Sequence, residues 1–230
     1  EYLDRWAYQE PDSLVIEIDA LAAVSKKNQD TYKYFVWMVT LKYQNPKIMG
    51  QDKVFVHMND TYFASGEMDF WANDQLKQNV AEYAKQLRRS LIGEKAPNMI
   101  MMDENLQARS LYDVASRFTV VYFFDPDCYH CKLATPVLDE LYDEKKYDME
   151  VFAVSTDTSM VKMTDYIRDM ELSWITVNGP RTATEPYYQL YDAMTTPTIY
   201  ILNEEKEIIA KKLPVERVDE FLRDYLARKK

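Results

Sequence analysis

The sequence predicts two domains of different class: an all-helical domain over residues 1–92 and an α/β domain over residues 93–230. Three observations lead there. Up to about residue 92, large apolar and aromatic residues recur at helical spacing. Beyond "GEKAP" (93–97), short β-type runs alternate with helical ones, the pattern of a sheet with crossover helices. At 230 residues and 47% hydrophobic composition, the chain is long enough for one large domain or two modest ones, each with a real core.

In the first domain, "EPDS" leads into "LVIEIDALAAV", a helix with Asp12 or Ser13 as its expected cap. "TYKYFVWMVTLKY", "DKVFVHMNDTYFA" and "DQLKQNVAEYAKQLRRSLIG" follow as further helices, with Tyr and Trp filling much of the core. The breaks fall at "QNPK" (44–47) and "SGEMD" (65–69), and Gly93 reads as the residue that ends the last helix. His57, within one of these helices, reads as a surface or satisfied core histidine.

The second domain reads as β-type "NMIMM", strand "FTVVYFF" (118–124), a helix from Cys128 to about Glu144, and strand "MEVFAVS" (149–155). A helix over "SMVKMTDYIRDM" comes next, then "WITV", a short helix around "PYYQLYDAM" and strand "TIYIL" (198–202). A turn at "NEEK", the strand "EIIAKKL" and a last helix "VERVDEFLRDYLARKK" close the chain. Such an order predicts a central mixed sheet covered on both faces. Met160, Met163 and Met170 fall at helical spacing and read as core rather than copper ligands.

Composition removes several functions. A net charge of -10 repels nucleic acid. The four glycines (Gly50, Gly66, Gly93, Gly179) are isolated, so no phosphate-cradling loop exists. No apolar run approaches the roughly 20 residues that span a bilayer. The chain starts at Glu1 rather than Met, so a segment upstream of it is expected, with room there for a signal peptide or a lipid anchor.

Both cysteines lie in "FFDPDCYHCKLATP" (123–136). Random placement would give the C-x-x-C spacing only about 1% of the time, and a disulfide scaffold would carry more cysteines. After the strand, "DPD" turns the chain and Cys128 begins a helix with Cys131 one turn in. Free backbone amides at the helix start favour a thiolate at Cys128. Cys131, deeper, is placed to attack a mixed disulfide formed by Cys128, which is the asymmetry that thiol-disulfide exchange requires.

The strand before "CYHC", Pro136 five residues after the second cysteine, "TTPT" (195–198) ahead of a strand, and the closing hairpin and helix resemble the thioredoxin fold. The resemblance is to its TlpA/ResA-like branch of bacterial cell-envelope thiol-disulfide oxidoreductases, and covers residues 93–230; the helical half looks like an accessory domain. It implies that Cys128 attacks and Cys131 resolves, with no cofactor beyond the redox-active Cys128–Cys131 disulfide. It further implies a cis Thr196-Pro197 loop that packs on the sulfurs and pairs with an extended substrate. Protein thiols or disulfides would be the substrates, and a membrane electron donor the partner. The setting would be extracytoplasmic, in periplasm or cell envelope, with the chain lipid-anchored upstream.

The chain departs from the family at several points. Asp127 stands where thioredoxins carry Trp, and its charge is expected to oppose the Cys128 thiolate. Tyr122 replaces the buried acid of the preceding strand, and Ala134 stands where ResA-like proteins place a glutamate. Asp125, a water or His130 would then have to serve Cys131 as proton acceptor. His130 and Tyr129, between the cysteines, are expected to tune the thiols, His130 matching the "CPHC" motif of DsbA-type oxidants. A zinc site would need a second ligand pair, so no metal is expected. Asp125 rather than Thr three residues before Cys128 argues against a peroxidase. The resemblance implies a thiol-disulfide oxidoreductase acting as a reductase; the alternative is a protein-binding module whose helical domain captures a partner, the cysteine pair being structural or vestigial.

Overall fold

A computed structural model describes residues 2–228. Lys229 and Lys230, read above as the end of the last helix, lie outside the described residues, as does Glu1. The chain divides into two compact units between Leu91 and Ile92.

The first unit contains α1 (Tyr2–Arg5), α2 (Pro11–Ser25), α3 (Gln29–Gln44), α4 (Asp52–Met58) and α5 (Asp74–Arg88). The cap of α2 is Glu10 rather than Asp12 or Ser13: its carboxylate accepts from the Ser13 amide at 2.9 Å. Pro11 explains the shift, since its fixed φ and missing N–H suit the first helical position and place the cap at the residue before it. Asn28 and Asn73 cap α3 and α5 by accepting from Thr31 and Leu76 amides, both at 2.9 Å. α4 runs on as a π-helical turn over Asn59–Phe63.

Leu14 and Ile18 of α2, Val36, Val39 and Tyr43 of α3, Met58, and Leu87 of α5 form the core of this unit. His57 is a satisfied histidine, its Nε2 at 2.8 Å from Asp19 Oδ1, which also accepts from the Tyr62 hydroxyl at 2.6 Å. Gly93 does not end a helix. α5 stops at Arg88 and closes on Arg89 and Ser90 amides that reach back three residues. Gly93, at φ 86°, instead opens the second unit, its amide donating to Ile208 O at 2.9 Å.

The second unit is a seven-stranded mixed sheet. Its strands are β1 (Ile100–Asp103), β2 (Ala108–Ser110), β3 (Phe118–Phe124), β4 (Met149–Ser155), β5 (Ile175–Thr182), β6 (Thr198–Leu202) and β7 (Ile208–Lys211). They lie in the order β2-β1-β5-β4-β3-β6-β7. β3 is central, parallel to β4 and antiparallel to β6, and buried along its whole length. That burial is why it reads as an unbroken apolar run. β2 went unread because "ARS" has no apolar pattern, and β5 runs past "WITV" through Gly179 and Pro180.

α6 (Tyr129–Asp143), α7 (Met160–Asp169) and α9 (Val218–Arg228) all contribute to one core, against Val120, Tyr122 and Phe124. Met163 is fully buried there, with Met160 and Met170 packed beside it, so these methionines are core. α6, α7 and α9 therefore cover one face of a sheet that is packed on both, as expected. The steps β3 to β4 and β4 to β5 move the same way across the sheet, and right-handed crossovers then put both connecting helices on one side. The other face, with Val121 and Phe123, is packed by Met99, Leu111, Leu190 of short α8 (Tyr187–Leu190) and Tyr191.

Candidate active site

The end of β3 delivers the chain into a tight turn. Asp125 Oδ1 accepts from the Asp127 amide at 2.8 Å, and Asp125 O accepts from the Cys128 amide at 3.0 Å. This side-chain-supported turn is a habit of aspartate. It sets Cys128 at the N-cap of α6, with φ -70° and ψ 120°, half-buried, while Cys131 is fully buried one turn on. Both cysteines are free thiols.

The loop before β6 completes the site. The Thr196-Pro197 peptide is cis. Thr198 Oγ1 donates to Thr195 O at 2.6 Å, and the Cys128 thiol donates to Thr196 O at 3.4 Å. The contact with the sulfur thus runs through the residue before the proline.

The two thiols differ electrostatically. Burial pushes the Cys128 thiol up, but the amide and thiol of Cys131, the Thr196 side chain and the amide of His130 together outweigh it, leaving it below the usual thiol value. The amides among these contributors, those of His130 and Cys131, lie in the first turn of α6, where backbone N–H groups favour a thiolate. Cys131 is pushed up to about 12, chiefly by burial, which the Asp125 amide at 3.5 Å from its sulfur only partly offsets.

The remaining residues singled out by sequence fall as follows. Tyr129 and His130 are exposed, their rings edge-on to each other at 5.8 Å. The His130 side chain makes no hydrogen bond among the described residues, so its backbone amide is what acts on Cys128. Asp127 is exposed and paired with Lys162 of α7 at 2.6 Å, so its charge does not stand unopposed beside Cys128. Asp125 is half-buried.

Beneath the cysteine helix lies a network that sequence reasoning missed. Tyr122 OH is 2.9 Å from Thr135 Oγ1, which is 2.7 Å from Tyr166 OH, all three residues buried. Phe124 stacks on both tyrosine rings, at 5.7 Å and 4.9 Å. Burial raises both phenols, Tyr166 to about 12 and Tyr122 further. Neither gives up its proton near neutral pH, so Tyr122 fills the place of a buried acid without acting as a base. Thr135 lies one turn past Cys131 on α6, a signal of helical spacing that could have found it; Tyr166 had none.

The AhpC/TSA family profile matches residues 92–211. Among solved structures, a domain of a possible thiol-disulfide isomerase from Cytophaga hutchinsonii is 31% identical, with a TM-score of 0.53, covering 60% of this chain and 95% of that one. A thioredoxin-like protein from Bacteroides caccae is 17% identical but covers 93% of this chain and 77% of its own, with a TM-score of 0.74; at that identity the likeness concerns fold alone. The thioredoxin domain of a thiol-disulfide oxidoreductase from Bacteroides vulgatus matches at 22% identity and a TM-score of 0.52, over 58% of this chain and 96% of its own. No curated protein matches at a significant level.

Proposed function

The chain belongs to the AhpC/TSA family and is a thioredoxin-like oxidoreductase; on that premise we propose that it reduces protein disulfides through Cys128 and Cys131. The observation that carries the reading is the contrast between two thiols one helical turn apart, one half-exposed and acidified, the other buried and held protonated.

The Cys128 thiolate attacks one sulfur of a substrate disulfide. A Cys128–substrate disulfide forms and the second substrate sulfur leaves as a thiolate, which takes a proton. Cys131 then loses its proton and attacks Cys128 Sγ, forming the Cys128–Cys131 disulfide and releasing the first substrate sulfur. Two electrons have passed from the pair to the substrate. The Asp125 amide donates to Cys131 Sγ at 3.5 Å and keeps this residue beside it; its carboxylate is assigned the proton-accepting role. Thr196 and Pro197, beside the attacking sulfur, are assigned the contact with substrate backbone.

Resetting the pair requires a dithiol donor, which we place in the membrane of an extracytoplasmic compartment, in keeping with a TlpA/ResA-like assignment. No helix among the described residues is long and apolar enough to cross a membrane. Insulin reduction with dithiothreitol as donor tests the reading: turnover by the native protein and none by Cys128→Ser is expected. No turnover by either would leave the protein-binding alternative.

A further inference from the structure

Asp127 immediately precedes Cys128, and a lone carboxylate there would disfavour a thiolate. It is not alone. Lys162 Nζ lies 2.6 Å from Asp127 Oδ2 and 3.1 Å from Asp157 Oδ2. Asp157 is itself fixed: its Oδ1 accepts from the Ser159 amide at 2.7 Å, and its carbonyl accepts from Asn178 Nδ2 at 2.9 Å. Asn178 is fully buried on β5. One lysine therefore ties the turn after β3 to a loop after β4 that is anchored in the sheet. The oxygens of Asp125, Asp127 and Asp157 come within 4.8 Å of one another, and the Lys162 ammonium sits on two of the three carboxylates.

The geometry points to Lys162 as a positioning residue for Cys128: it holds the Asp127–Cys128 turn and cancels the Asp127 charge beside the attacking sulfur. Sequence reading sets the Asp127 charge against the thiolate; in the structure that charge is paired with Lys162 at 2.6 Å. The same carboxylates hold Lys162 firmly in its charged form. Other titratable groups facing Cys128 are Cys131 on its own helix, Tyr122 of β3 and Tyr166 of α7, while Asp125 of the turn faces Tyr187. His130 is its neighbour on α6. Among the groups named here, Lys162 is the only permanent cation.

The inference rests on Cys128 being the attacking thiol of the reading above, but its test reads ionisation alone and does not need turnover. The rate of iodoacetamide alkylation at Cys128 is followed by peptide mass across pH 5 to 10 in reduced protein. Both partners are exposed and screened, so Lys162→Met is expected to slow alkylation about two- to fivefold below the midpoint and to move the midpoint up by about half a pH unit. Lys162→Arg should keep the native profile. Asp127→Asn should move the midpoint down, and Asp127→Asn/Lys162→Met should return most of the way from Lys162→Met toward native. A native profile in Lys162→Met, or a double variant displaced as far as Lys162→Met alone, overturns the assignment. Should Lys162→Met not fold, an upward shift in Asp127→Asn overturns it equally. Loss of insulin reduction with these profiles as expected would count against the proposed function and leave Lys162 in place.

Discussion

The helical and α/β units use polar side chains in opposite ways. In the helical unit, Asp19 gathers the Tyr62 hydroxyl and the His57 ring, and Glu67 gathers Tyr32 and Lys26, so partners on different helices close one another off. In the α/β unit, the turn after β3 and the loop before β6 bring a thiol, a carbonyl and a helix start together and leave the thiol half-exposed. β3 runs antiparallel to β6, so the end of β3 lies beside the start of β6 and the turn after the one meets the loop before the other. Chemistry is thereby concentrated in one unit, and the comparison can be broken or sharpened by experiment.

The largest contrast lies in turnover. Cys128→Ser should lower insulin reduction by at least about a hundredfold, whereas Asp19→Asn, which disturbs only the helical unit, should stay within about twofold. Equal losses would mean that the helical unit takes part in the reaction.

Within the α/β unit, Cys128 and Cys131 should differ as the units do. In reduced protein at neutral pH, Cys128 should alkylate at least about tenfold faster than Cys131. The Cys128 rate should rise as pH climbs through its lowered pKa and then level, while Cys131 should gain only as pH approaches about 12. Cys131→Ser should trap mixed disulfides with partner proteins, and Cys128→Ser should trap few. Equal alkylation rates would remove the asymmetry on which the proposed reaction depends.

Asp125→Asn should slow release of the mixed disulfide about tenfold or more by stopped-flow, with the first attack little changed. If both steps slow together, Asp125 shapes the turn rather than taking a proton.

A fragment spanning 93–230 should remain soluble and keep the Cys128 alkylation profile, because its two packed faces supply their own core. Aggregation of that fragment would show that the two units are not independent. The smallest effect concerns the end of α7, where Glu171 takes φ 55° and the Leu172 amide closes on Ile167 O at 3.0 Å. Glu171→Gly relieves this left-handed position and should stabilise the α/β unit by about 0.5–1 kcal/mol in urea titration. No change in the helical unit's transition should accompany it.

The elements that sequence placed well are those whose signal is local. β3, β4 and β6 match "FTVVYFF", "MEVFAVS" and "TIYIL" to the residue, because a buried strand is a short apolar run with turn residues at its ends. Cys128 at a helix start, Cys131 a turn inside, and the Thr-Pro loop ahead of β6 were legible for the same reason, each being a matter of a few neighbouring residues. Tertiary structure alone decided the rest. Lys162 meets Asp127 across 35 residues, and Thr135 meets Tyr166 across 31. That α6 and α7 share one face likewise depends on which way successive strands step across the sheet, which no periodicity records. A chain's local pattern determines its elements and the groups at their ends; the neighbours that set a thiol's charge are chosen when distant segments pack, because electrostatic effects act through space and not along the sequence.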